Sequence, residues 1–308
     1  MDFGPHLMLA SIEGAVISAI LVLTAMGLSI VFGVMRVVNV AHGEFFMLGA
    51  VLAWAVTVTI GGHPALGFVA ALAIVPVLVG CIAAGVDRLI LKRINYDVDR
   101  TIVATIGVLY IVQQSTLMLY GPEARPVEAP FNTRLALPWF ELGENGFQMI
   151  WPWGLSVTSY KLFVIFAAIG VLGVLWLVLT RTKVGLIMRA TQQDRDMAQA
   201  FGVPVAQVYS WVFGLGAGLA ALGAVLVVPI QQAHYLMGGD PLLLAFIVVI
   251  IGGLGSLPGT VIAAVLIGMS DGIISVFFSP TLAKIIATLL VALVLVFRPQ
   301  GLMGRIAV

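Results

Sequence analysis

The 308-residue chain is 61% hydrophobic and only 9% charged, where an ordinary soluble domain carries roughly 25% charged residues. Its formal net charge is +1, from 15 Lys and Arg against 14 Asp and Glu. These values exclude a soluble globular fold and leave no basic stripe for nucleic acid. The single cysteine, Cys81, excludes an internal disulfide or a cysteine-cluster metal site.

The N-terminus, "MDFGPHLMLA", has no basic leader, and the apolar stretch after it is too long for a signal-peptide core. It reads as a retained first span over about 12–33. "NVAHGEFFMLGA" (39–50) then opens a second span, about 44–60. Asn39 is placed to cap that helix, with His42 and Glu44 in its first turn, where the helix dipole favours a carboxylate. His42 and Glu44 are two residues apart and share no helical face, so a joint metal or acid–base site on one regular helix is excluded. Two readings of this patch stay open: a helix start, or a polar lining of a path or gate.

Further spans of about 20 apolar residues fall near 65–86, 101–120, 160–180, 207–229, 258–278 and 281–297. A ninth apolar stretch, "PLLLAFIVVIIGG" from Pro241, is short enough to be a short span or a re-entrant segment. The fold class is therefore an all-α polytopic membrane protein, a helical bundle of about 8–9 transmembrane segments with one short or broken. Basic residues favour the cytoplasmic side. Arg36, the loop 87–100, the loop 181–206 and the C-terminal Arg298 and Arg305 hold eleven of the fifteen Lys and Arg. All can be cytoplasmic if the N-terminus is outside, the C-terminus is inside and the segment after Pro241 turns back at "GGLGSLPG". The segment of about 121–159 is then external, with Trp139, Trp151 and Trp153 suited to the membrane interface. Glu13, Glu44, Asp271 and Lys284 are the charges in or at the ends of spans, and Asp271 with Lys284 is the expected ion pair.

The polar loop "VGLIMRATQQDRDMAQAFGVPVAQV" contains a helix signal. Thr191 followed by Asp194 suggests a capping box, and Gly202 with Pro204 a stop, enclosing a helix of about ten residues. Met197, Ala198 and Phe201 form its apolar side. Such a helix either lies on lipid or docks into the groove of a cytoplasmic partner. Gly214 and Gly218, with the stripe Gly216, Ala220 and Ala224, read as helix packing. "GGLGSLPG" (252–259) is either a tight turn at the cytoplasmic surface, the favoured reading, or a deep break in which Ser256 lines a path. The sequence contains no G-x-x-x-x-G-K-[ST], H-E-x-x-H or G-x-S-x-G, so no enzyme motif competes with a transport reading.

The spacing Arg189-Ala190-x3-Asp194-x3-Ala198-x3-Gly202-Val203 resembles the coupling loop of permease subunits of ABC importers. With "NVAHGEFFMLGA", "IGGLGSLPGTVIAAVLIG" (251–268) and "RPQGLMG" (298–304) in order, the chain resembles the branched-chain amino acid permeases over nearly its whole length. Gln193, where an acidic residue is common, and the Phe45–Phe46 pair depart from the family pattern. The resemblance implies a single transmembrane permease domain over 1–308 in a bacterial inner membrane. It implies a second similar permease subunit, two cytoplasmic ATP-binding subunits, an external solute-binding protein and surrounding lipid, with no cofactor. It also implies a path or gate at Asn39, His42, Glu44 and Ser256, and ATPase docking through Arg189, Asp194, Met197, Ala198, Phe201 and Gly202. Relatives that carry urea, short amides or aromatic acids, and a stand-alone ion-coupled transporter, are the alternatives.

Overall fold

The structure, a computed structural model, describes residues 3–136, 139–143, 146–150, 156–298 and 300–303. Trp151, Trp153 and Arg305, singled out above, lie outside them. Among the described residues the helices are α1 (Phe3–Met35), α2 (His42–Ile60), α3 (Pro64–Leu89), α4 (Val98–Tyr120), α5 (Ser159–Arg181), α6 (Lys183–Gln193), α7 (Arg195–Ala200), α8 (Val205–Val227), α9 (Gly239–Gly252), α10 (Leu257–Phe277) and α11 (Pro280–Phe297). Eight of these, all but α6, α7 and α9, are long and apolar enough to cross a membrane. Helices satisfy their own backbone donors and acceptors, which lipid cannot do. Between α4 and α5 the chain forms strands: β1 (Arg134–Ala136) pairs antiparallel with β4 (Ser156–Thr158), and β2 (Trp139–Gly143) with β3 (Gly146–Ile150).

Helices α1 and α8 form the centre of the bundle. Small residues bring the backbones together where lipid supplies no hydrophobic drive. Gly216 of α8 faces Gly27 of α1, while Gly214 and Gly218 face Gly80 and Pro76 of α3. The glycine stripe is thus a packing surface, as its spacing suggests. On the other side of α1, Ser18 and Ser29 meet α10, with Ser18 Oγ near the Val265 carbonyl (3.3 Å) and Thr260 Oγ1 on Ser29 Oγ (2.9 Å). α3, α4, α5 and α11 surround this core and expose apolar side chains such as Val103, Met118, Phe166 and Val296.

One end of the bundle gathers Arg36, Arg189 and Arg195 with the residue 90–97 connection and the Gly252–Leu257 turn, and it is called the basic end here. The C-terminal segment returns there: Leu302 and Met303 donate their amides to the carbonyls of Ile251 (2.7 Å) and Gly252 (3.2 Å). These contacts satisfy carbonyls that the end of α9 would otherwise leave free. Chain parity puts both the C-terminus and the basic connections at one end, as the charge pattern requires.

Ion pairs differ from expectation at one place. Lys284 pairs with Asp240 of α9 (2.6 Å) rather than with Asp271. Asp271 stays close enough to feel both charges. α9 runs beside the α10–α11 hairpin and supplies a carboxylate that sequence neighbourhood did not point to. A double-mutant cycle with Asp240→Ala and Lys284→Ala should therefore give a measurable coupling in thermal unfolding. A larger coupling between Asp271 and Lys284 would overturn the assignment. At the far end Glu13 of α1 pairs with Lys161 of α5.

Candidate functional site

α2 does not begin at the basic end, where α1 finishes. Residues 36–41 leave α1 and run back into the bundle without helical structure. His42, the first residue of α2, bonds through Nε2 to the carbonyl of Thr24 (2.9 Å). Thr24 lies three turns before the end of α1, roughly 16 Å along the helix axis. Irregular backbone at such depth survives only when enclosed by protein. Here Val37, Asn39 and Ala41 are buried, and their neighbours' amides are satisfied. Val40 N–H donates to Thr105 Oγ1 of α4 (3.2 Å), and Ala41 N–H to Asn39 Oδ1 (3.1 Å).

That last bond changes the role of Asn39. It holds the turn before α2 and does not cap the helix, whose N-cap residue, Ala41, offers no side chain. Glu44 stands where a capping-box glutamate would reach back to the N-cap amide, but Asn39 already occupies that amide. Its Oε2 is buried with no hydrogen-bond partner. His42 is fully buried, and a carbonyl partner requires the proton on Nε2. In the neutral ring Nδ1 then presents a lone pair, and it too is without a partner. Buried polar atoms without partners are rare and costly, and they ask for a reason.

α9 starts beside this same point. A Cβ on Gly43 would sit 2.4 Å from the Gly238 carbonyl oxygen, and one on Gly238 would sit 2.3 Å from that of Gly43. The two backbones touch, and the helices diverge from the contact, α2 toward the far end and α9 toward the basic end. α9 is a half-span: its 14 residues cover about 21 Å. Two helix N-termini, the positive ends of their dipoles, thus meet inside the bundle. Broken helices meeting at depth are the arrangement in which transporters hold charged solutes. The sequence contained the signs, a Gly in each start and a short α9, but nothing local fixed their depth.

Ser256 is not part of this junction. Its hydroxyl accepts from Gly259 N–H (3.3 Å) and caps α10 at the basic end. Gly253 and Gly255 carry φ of 100° and 79° in the preceding turn, the left-handed region that glycine tolerates. The break at 252–259 is therefore the tight end turn favoured from the sequence. Ser256 instead borders a cavity of about 1160 Å³ beside Arg36, Arg189 and Gln192.

The polar loop 182–204 holds two helices instead of one of ten residues. Thr182 caps α6 through Gly185 N–H (3.3 Å), and Asp194 caps the six-residue α7 through Met197 N–H (2.9 Å). Thr191 is inside α6, its hydroxyl on the Ile187 carbonyl (2.9 Å), so no capping box forms there. Gly202, at φ 83°, ends the unit as expected. Ala198 is buried against the bundle, and Arg195 stacks over the Tyr209 ring of α8 at 5.6 Å. Tyr209 in turn meets Tyr96 edge-on at 4.7 Å, and the next residue, Ser210, donates to buried Asp87 of α3 (2.6 Å). Met197 and Phe201 point the other way and are 55% and 83% exposed. Arg189, itself exposed, donates to the Leu179 carbonyl at the end of α5.

Comparison with known proteins agrees with this architecture. Residues 11–295 match the family profile described as the branched-chain amino acid transport system permease component. The chain is 24% identical to the high-affinity branched-chain amino acid transport system permease protein BraD of Pseudomonas aeruginosa, covering 97% of this chain and 96% of that one. It is 23% identical to LivH of Escherichia coli (95% and 94%) and 27% identical to a probable LivH of Methanocaldococcus jannaschii (98% and 94%). No solved structure matches. With a profile match over almost the whole chain and eight membrane-length helices, the protein belongs to the branched-chain amino acid transport permease family and is a multi-pass membrane protein.

Proposed function

We propose that the chain is a permease subunit of an ATP-driven importer that carries branched-chain or similar hydrophobic amino acids across a bacterial inner membrane. The observation that carries this reading is α7: an anchored helix at the basic end with Met197 and Phe201 left bare. With the basic end cytoplasmic, α7 faces an ATP-binding subunit there, while an external binding protein delivers solute to the far end. A second, similar permease completes the path. ATP-driven movement of the docked subunits pulls on α7, and the Arg195–Tyr209 stack and buried Ala198 pass that movement to α8 and the bundle. The solute-binding protein is expected to bind leucine, isoleucine or valine. If calorimetry finds none of the three bound, the amino-acid assignment falls.

The polar groups of the path are His42 and Glu44 at the α2–α9 junction. A buried carboxylate with a free oxygen suits the ammonium group of an amino acid, and the two helix N-termini suit its carboxylate. Glu44→Gln preserves shape and removes charge. In reconstituted vesicles it should cut uptake by about tenfold or more, the weight of one charged hydrogen bond, with unchanged yield and melting temperature. Wild-type uptake in this variant would return Glu44 to a structural role.

A further inference from the structure

We propose that the cavity bordered by Ser256 at the basic end binds the phosphate headgroup of an anionic phospholipid. It lies between the end of α1, α6 and the α9–α10 turn, with a volume of about 1160 Å³. Arg36 and Arg189 line it, and among its described lining residues there is no Asp or Glu. Arg36 is the first residue after α1 and has φ 56°. That left-handed position after a helix usually belongs to glycine, and an arginine there carries strain. Strain held at one residue points to a function for its side chain. Among the described residues the Arg36 guanidinium forms no hydrogen bond or ion pair. Arg189 spends one donor on the Leu179 carbonyl, which orients its fork and leaves its other N–H groups to the cavity. The N-terminus of the 21-residue α10 opens on the same space and adds to its positive potential.

Three features select a lipid over other anions. The cavity stands where α1 leaves the apolar bundle, the level of headgroups. Its rim carries Leu186, Leu254 and Met303, each at least half exposed, which acyl chains would cover and free phosphate would not. The transported zwitterion would find no carboxylate in the lining for its ammonium group. Basic pockets between helices at this level suit anionic headgroups.

The test is native mass spectrometry of the purified transporter complex, titrated with phosphatidylglycerol and, separately, with phosphatidylcholine of the same chains. Phosphatidylglycerol should be retained preferentially. Arg36→Gln and Arg189→Gln should each weaken its retention about fivefold, and the double variant about 25-fold, from the contribution of each basic residue near an anionic headgroup. Arg93→Gln, an exposed basic residue outside the cavity, should leave retention unchanged. Equal retention of the two lipids by the wild-type complex overturns the proposal, and that arm does not depend on any variant folding. Displacement of the lipid by inorganic phosphate at equal concentration would show a free-anion site instead. Retention of phosphatidylglycerol only when the ATP-binding subunits are stripped away would give the cavity to an acidic side chain of those subunits. Lipid retention is read without transport, so its failure leaves the import reading untouched.

Discussion

Phe201→Asp is expected to abolish ATP-dependent uptake while leaving the permease folded and in the membrane. At 83% exposed, Phe201 contributes almost nothing to the bundle's own core, and exposed substitutions away from special features cost within about 0.5 kcal/mol. In the assembled transporter the same ring would fill a groove of the ATP-binding subunit. Burying a phenylalanine is worth about 1.5–3 kcal/mol, and an aspartate in its place adds the cost of an uncompensated charge in an apolar contact. The sum is on the order of 4 kcal/mol or more, about a thousandfold in docking affinity. Co-purification of the ATP-binding subunits and solute uptake should therefore both collapse, with a melting temperature close to wild type. Phe201→Leu, which keeps an apolar anchor, should retain most activity. The competing possibility, a helix resting on lipid, makes a different forecast: the ATP-binding subunits still co-purify with the aspartate variant, and uptake falls little. That result would sink the docking role of α7.

The elements that sequence reading located are those whose cause is local. Spans show in composition because lipid demands about 20 apolar residues in a row. The end of α7 shows through Gly202 and Pro204, which act within one turn, whereas the capping signal at Thr191 lies one turn before the true cap, Asp194. The turn at 252–259 shows because glycine and proline fix it directly. What stayed hidden has distant causes. In the sequence alone Asn39, His42 and Glu44 are either the polar start of a helix between two spans or the lining of a path or gate. Only the bond from His42 to Thr24 and that from Val40 to Thr105 reveal that this start lies deep. Lys284 had Asp271 as its neighbour across a hairpin, but its bonded partner is on α9. α6 was missed for a different reason. Its cap, Thr182, is a good local signal, but it lies in a polar stretch read as a loop between spans.

The α2–α9 junction makes the second large forecast. Alanine at Gly43 or at Gly238 puts a methyl group within 2.4 Å of a carbonyl oxygen of the opposite helix, well inside van der Waals contact. Both obstacles are backbone, so no side chain can swing aside, and relief requires the helices to part. Overpacking of this kind costs typically 1–3 kcal/mol, and a clash of two main chains belongs at the upper end. Each variant should melt several degrees lower and should lose uptake almost completely, since the displaced atoms adjoin His42 and Glu44. Gly170→Ala and Gly173→Ala on α5, where an added methyl meets open space, should match or slightly exceed wild-type stability, because alanine favours helix over glycine. The two readouts separate a static contact from a moving one. If α2 and α9 touch throughout the transport cycle, stability and uptake fall together. If they part to let solute through, the variants favour the parted state. Basal ATP hydrolysis should then change out of proportion to melting temperature. Wild-type values in all three measurements would mean that the helices do not meet at Gly43 and Gly238.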